Sequence, residues 1–364
     1  MAQTQPASTA ELVVCACRGK TYNARDLVDA AIFRGELDWA WKQFLGGVRA
    51  EESAEELDLE IDHDAIDAAA EHFRYAHDLI TAEETEQWLG ARALSLADFT
   101  NYFTRQHLLS TAEEEVESND GDLISAPPEQ RELFTADLIF SDALDQLSTS
   151  LMWRLAALAE IDECNLDREA IMSERKGFLN RTKVVEGKLN DWLSQLGRDQ
   201  QWLDEMSAME AAYRSLCEKV LTAQARQKQL ATLRMPLTQL EAEVIEVDSL
   251  AAAKEALLCI QQDGMSMEEI ATEARYPFRR ITFLHDAVPE ESKQKFWSAG
   301  PGDVLEPLPH GDGFELYRIL QKIEPNPADP NVQQRVDERL LERHFSALAS
   351  NHVEVRLSGQ VSSE

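Results

Sequence analysis

The sequence predicts a mostly helical α+β chain: two helical stretches, a small α/β segment and a C-terminal helix. Three observations predict it. Apolar residues recur at three- and four-residue spacing over much of the chain up to Pro236. Large apolar anchors repeat across the two helical stretches at near-equal intervals. Two short apolar runs, Val304–Leu308 and Phe314–Leu320, flank His310-Gly311-Asp312-Gly313. Glycine and aspartate tolerate the backbone angles of a tight turn, so this reads as a β-hairpin.

The first segment is expected over 1–110. Leu12–Ala16 reads as a strand, followed by the turn Arg18-Gly19-Lys20-Thr21. Ala24–Phe44, Asp64–His77, Ala82–Ala91 and Leu96–Leu109 read as helices. Asn23 with Asp26, and Ser95 with Asp98, are N-cap pairs that satisfy free amides at a helix start. A linker is expected over 111–130, where Glu113-Glu114-Glu115, Ser118–Asp122 and Pro127-Pro128 combine like charge with turn formers.

The second helical stretch is expected over 131–235. Phe73 to Trp88 spans 15 residues, and Phe178 to Trp192 spans 14. Trp88 to Phe99 spans 11, and Trp192 to Trp202 spans 10. Phe134-Thr135-Ala136-Asp137-Leu138 is expected to open this stretch as Tyr22–Leu27 opens the first. Met235-Pro236 ends it, because the residue before proline is biased away from helix. The basic run Arg214–Arg234 reads as internal pairing with acidic helices.

Residues 236–325 read as strand Leu240–Val247, helices Ser249–Gln262 and Met267–Ala274, strand Arg280–His285, helix Glu290–Ala299 and the hairpin. Residues 326–364 hold an amphipathic helix, Asn331–Leu348, and a short strand, Val353–Leu357. That helix is expected to dock on the N-terminal helical region through Leu340, Leu341 and Phe345.

A net charge of −32 over 364 residues excludes nucleic acid and anionic membrane surfaces as partners, since both would be repelled. Basic peptides would be attracted. Met1–Ala10 carries no basic residue and no long apolar run follows, which predicts neither a secretory signal nor membrane insertion. Five scattered cysteines fit a reducing compartment, and the expected location is cytoplasmic. Cys15 and Cys17 read as packing residues. His63, His72 and His77 miss the four-residue spacing of a helical metal site, and no phosphate-binding glycine motif occurs. No metal and no cofactor are expected. Gly46-Gly47 reads as a helix cap.

The hairpin Gly302–Leu320 resembles the last hairpin of parvulin-type peptidyl-prolyl isomerases, G-E-V-x-x-P-(loop)-G-Y-H-I-I-K-V. Gly302, Val304, Pro307, Gly313, Phe314, Arg318 and Leu320 fall on that pattern. Glu315 takes the place of the family's histidine, and the first strand offers Glu243, Val244 and Ile245 where the second histidine belongs. The family segment M-V-P-E-F-x-x-x-x-F aligns with Ala287–Phe296, which keeps Phe296 but has Ala287 and Glu291 for the methionine and first phenylalanine. The loop bearing the family's cysteine or aspartate is missing, and Glu273–Phe278 leads almost directly to the strand. Val13–Leu27 resembles the start of the N-terminal helical module of SurA-like foldases.

The resemblance implies two tandem SurA-N-like helical repeats, a small parvulin-like domain and a C-terminal helix that returns to the helical region. It implies a non-catalytic chaperone or peptide-binding protein with no catalytic residue. The implied partner is an unfolded or extended client, a ribosomally made precursor peptide in a maturation or export system being one form. The peptide-binding candidates are Arg275, Arg279, Arg280, Phe283, His285, Phe296 and Glu315, with the three arginines expected to anchor carboxylates. The alternative is an enzyme, either a residual isomerase or a peptide-modifying activity, and a new active site in place of the family's would be assembled from Glu243, His285 and Glu315.

Overall fold

The computed structural model describes residues 8–59, 61–111, 122–161, 166–311 and 313–356. Cys164, residues 112–121 of the acidic linker, Asp312 of the turn and Leu357 of the last strand lie outside the described residues. The chain divides into two compact units, Met1–Cys217 with His344–Glu364, and Glu218–Arg343.

In the first unit, β1 (Val13–Cys17) and β2 (Lys20–Asn23) form a hairpin, and the C-terminal strand Val353–Val355 pairs antiparallel with the other edge of β1. Cys15 and Cys17 are buried in β1 as packing residues, and burial pushes the Cys15 thiol up to about 12. Asn23 caps α1 (Ala24–Arg34): its side chain accepts from the Asp26 amide, and Asp26 accepts from the Asn23 amide.

The single helix expected over Ala24–Phe44 is two helices. Gly35 adopts φ +73 and ends α1, and the chain restarts as α2 (Asp38–Glu56). Gly46 and Gly47 are not a cap. They lie inside α2, where a Cβ on Gly46 would stand 3.1 Å from Leu109 and one on Gly47 would stand 3.5 Å from Arg105. Their small size lets α5 (Leu96–Thr111) approach α2 closely. Between them lie α3 (His63–Ala76) and α4 (Ala82–Ala91), close to the expected bounds.

After the linker, α6 (Pro128–Phe140) starts on a proline, which tolerates the first helical position because its missing N–H would be unpaired there anyway. Phe134–Leu138 is therefore helix interior and not the expected entry. The unit continues with α7 (Ala143–Glu160), α8 (Arg168–Thr182), α9 (Leu189–Leu196) and α10 (Gln200–Val220).

Each pair of anchors spans two successive helices. Phe73 on α3 meets Trp88 on α4 edge-to-face at 5.5 Å, and Phe178 on α8 meets Trp192 on α9 edge-to-face at 5.2 Å. The two stretches do not hold separate cores. One hydrophobic cluster runs from Leu12 through Phe134 to Met209, and Phe33 of α1 stacks on Phe178 at 5.1 Å. Arginines clasp the stretches together: Arg181 donates to the Phe33 carbonyl at 2.8 Å, and Arg25 to the Leu196 carbonyl at 2.8 Å. Arg198 binds Asp26 and Asp29 at 2.7 and 2.6 Å, and burial pushes the Asp29 carboxyl up to about 6.

The second unit begins with α11 (Ala223–Leu233). Then come β3 (Gln239–Val247), α12 (Leu250–Leu258) with a π-turn over Cys259–Asp263, α13 (Met267–Ala274), β4 (Phe278–Leu284) and α14 (Glu290–Ser298). The hairpin is β5 (Leu308–His310) and β6 (Gly313–Ile323). The sheet is antiparallel with order β4-β3-β6-β5. The first hairpin arm is shorter than expected. Val304 makes only an isolated bridge to Arg318, and Pro307 and Pro309 cannot donate to a ladder. Gly313 is required by contact: a Cβ there would stand 2.7 Å from the Val247 carbonyl oxygen.

The last helix, α15 (Pro330–His352), does not bury its stripe as expected. Within the second unit Val336 and Leu340 pack with Leu237 against the apolar face of α11, and Leu341 is only half-buried. Within the first unit Phe345 is wholly buried against Trp153 and Tyr213. The basic run is paired internally, with Arg214 on Glu174, Arg226 on Asp337 and Arg234 on Glu324. No helix among the described residues is long and apolar enough to cross a membrane.

Candidate functional site

Side chains alternate across each strand of the second unit's sheet, so the register decides which candidates meet. Leu240, Ala242, Phe283, Tyr317 and Ile319 face α14. Ile245, Val247, Phe278 and Leu316 face α12 and α13. Glu246 pairs in register with Glu315, and both fall on the α14 side with Arg279. Glu243 pairs in register with Arg280 on the opposite side.

On the α14 side a polar cluster abuts three aromatic rings. Glu315 is 3% exposed. Arg279 donates to it at 2.5 Å and also bonds Glu246. The Tyr317 hydroxyl donates to the other Glu315 oxygen at 2.5 Å. Nδ1 of His310 lies 3.6 Å from the same carboxylate. Burial, then the hydrogen bond to Glu315, pushes the Tyr317 phenol well above its ordinary value. Beside this cluster Phe283 and Phe296 meet edge-to-face at 5.6 Å, and Phe296 meets Tyr317 at 5.0 Å.

The structure thus brings together Arg279, Phe283, Phe296 and Glu315. Phe296 is buried core, so it supports the rings and offers a ligand no surface of its own. Arg280 lies on the other face, bound to Glu243 at 2.9 Å. Arg275 stands apart as the exposed cap of α13 with φ +60. The expected anchoring of an acidic ligand is therefore corrected for two of the three arginines. Arg279 and Arg280 are already paired with Glu246, Glu315 and Glu243, which outnumber them.

His285 is buried at the far end of β4, roughly 20 Å of strand from Arg279. Its Nε2 sits 3.1 Å from the Lys293 carbonyl and its ring packs on Trp297. Glu243, His285 and Glu315 lie on different faces and ends of the sheet and form no constellation. Among the described residues no group of histidine, cysteine or carboxylate side chains could hold a metal ion. Sequence reasoning missed Tyr317, Glu246 and His310. The two-residue offset of Tyr317 from Glu315 was the one available signal, since it puts both on one side of a strand.

A separate cleft of about 700 Å³ lies between the Ile260–Ser266 turn, the end of α14 and the Gly302–Glu306 loop, and none of the predicted residues lines it. The sheet cluster and this cleft are in different places.

No protein-family model matches the chain, and no curated protein does. Solved structures similar to it include a peptidylprolyl isomerase, PrsA, from Bacillus cereus, at 12% identity and TM-score 0.38 over 59% of this chain and 85% of that one. The foldase protein PrsA from Streptococcus pneumoniae is 16% identical, with TM-score 0.25 over 65% of this chain and 89% of that one. A structure from a pair of SurA-like chaperones of Campylobacter jejuni is 13% identical, with TM-score 0.19 over 60% of this chain and 89% of that one. Similarity at these values says nothing of activity. The fold described above stands on the chain's own elements and register.

What the cluster can do chemically is limited. A carboxylate that accepts from a guanidinium on one oxygen and a phenol on the other has both oxygens already engaged. The two donors also fix its oxygens. Glu315 is built as a structural acceptor beside an aromatic patch.

Proposed function

We propose that this chain holds unfolded or extended polypeptide without chemical turnover, as a non-catalytic chaperone of the parvulin-type foldase build. The observation that carries the reading is the state of Glu315. In the position where the resembling family has a histidine, this chain has a buried carboxylate tied to Arg279 and Tyr317. A prolyl amide would meet there a carboxylate whose two oxygens already hold Arg279 and Tyr317. Phe283 and Tyr317, each half-buried, leave a small apolar surface beside it. The preferred client is a ribosomally made precursor peptide awaiting maturation or export, a placement drawn from the resemblance. A net charge of −32 favours basic clients over acidic ones.

The test is suppression of aggregation. Reduced insulin precipitates as its B chain is released, and light scattering reports it. The full chain should suppress scattering at near-stoichiometric ratio, without nucleotide. Unchanged scattering at a large molar excess of this protein would remove the chaperone reading.

A further inference from the structure

Two cavities lie side by side along α1 in the helical unit. One, of about 310 Å³, has Val28, Phe134 and Leu196 among its walls. The other, of about 470 Å³, is lined in part by Leu37, Trp41, Leu45 and Trp192. Both volumes are in the range of pockets that take organic groups. Ile32 and Leu123 line both cavities, so together they form the partition between them.

Leu123 reaches that partition from a tight turn. The Ser125 amide donates to the Asp122 carbonyl at 3.1 Å, and the Ile124 amide donates to the Asp122 side chain at 3.1 Å. The turn pushes Leu123 and Ile124 inward, 7% and 9% exposed. These are apolar side chains of a short non-helical segment seated against α1, with Leu123 lining both cavities and Ile124 the larger one. The smaller cavity opens on one side, between α1 and α6, and the larger on the other, beside α2 and Trp192.

The rim selects no single charge. Arg25, Lys42, Arg131 and Arg181 stand among Asp38, Asp122 and Glu132. Arg25 and Arg181 are also already bonded to backbone carbonyls. What distinguishes the cleft is apolar and aromatic surface, which takes large apolar side chains through burial.

We infer that this cleft is the client-binding site of the helical unit. It takes large apolar side chains of an extended peptide on either side of the Leu123–Ile124 turn, which occupies its middle as an internal stand-in for such a peptide. The inference rests on the chaperone reading and names the surface that performs it, away from the sheet cluster of the second unit.

The probe is an uncharged dodecapeptide alternating phenylalanine and serine, carrying a fluorophore and one benzophenone side chain, used with the full chain. Irradiation and mass spectrometry should place crosslinks on Leu37–Leu45 and Thr182–Trp192. Ile32→Trp, which fills the partition from both sides, should weaken peptide binding about tenfold or more, read by fluorescence anisotropy. Should that variant fail to fold, the wild-type crosslinks decide alone. Crosslinks confined to Tyr276–Leu284 or to any other surface would overturn the cleft while leaving the chaperone reading intact. A folded Ile32→Trp variant that binds as wild type would also overturn it. A wild-type chain that neither binds the peptide nor suppresses aggregation would instead sink the underlying reading.

Discussion

Phe345→Ala should lower the stability of the helical unit by about 3–5 kcal/mol, the usual range for emptying a fully buried phenylalanine site. Phe345 is 0% exposed, stacked on Trp153 at 5.7 Å and tilted against Tyr213 at 4.7 Å. Both partners are large rings on long helices, so collapse around the hole is limited. For a unit of this size the melting midpoint should fall by on the order of 10 °C. Ending the chain at Arg343 should do at least as much, because it also removes the strand that pairs with β1. Ending it at His352 removes that strand alone and should cost less. Thermal unfolding followed by tryptophan fluorescence reads all three. An unchanged midpoint in Phe345→Ala would mean that the C-terminal helix is not part of the helical core.

Arg105→Ala should be comparably severe, about 3–5 kcal/mol, the cost of stranding a buried charge by removing its partner. Arg105 is 2% exposed, donates to Asp137 at 2.5 Å and lies 3.6 Å from Glu51. Burial already pushes the Asp137 carboxyl up to about 6 despite the guanidinium beside it. The sign of the pH dependence follows. A folded pKa above the unfolded value means that the folded state keeps its proton longer as pH rises. The group's favourable contribution is complete below about pH 4 and is lost as pH rises through about 6. Removing Arg105 raises the folded pKa further. The variant should therefore be hurt most at neutral pH and markedly less near pH 5. Arg105→Met with Asp137→Leu should regain much of the loss, since matched apolar replacement removes both charges together. Urea unfolding at the two pH values checks this; an equal loss at both would contradict it.

The parts of the fold that were legible in the sequence are those encoded locally. The Asn23–Asp26 cap, and the Ser95–Asp98 pair bonded at 2.8 and 3.2 Å, are signals within one turn of chain. The helix Met267–Ala274, with a capping box at Ser266 and Glu269, is equally local. Boundaries failed where one residue's conformation overrode a continuing apolar pattern, as Gly35 does between α1 and α2. The second entry failed because a Thr-Ala-Asp-Leu start looks the same inside a helix as at its beginning.

The site was legible as residues and illegible as an arrangement. Glu315 could be read as a replacement for a catalytic group. Its clamp could not, because Arg279 comes from another strand and cross-strand register is a property of the folded sheet. The same holds for Arg280 and Glu243. Three arginines in an acidic chain suggested open positive charge, and two of them proved to be partnered by strands distant in sequence. His285 looked available from its place at a strand end, yet the following turn buries it against Trp297.

The central claim is that this chain holds polypeptide and that its sheet cluster does not turn it over. Exchange spectroscopy on a fluorine-labelled proline peptide with the full chain tests it directly, because one experiment reads both binding and cis–trans interconversion. The account predicts resonances broadened by binding, with interconversion at the slow uncatalysed rate of the free peptide, tens to hundreds of seconds. Exchange that accelerates with protein concentration and returns to the uncatalysed rate in Glu315→Ala would contradict it.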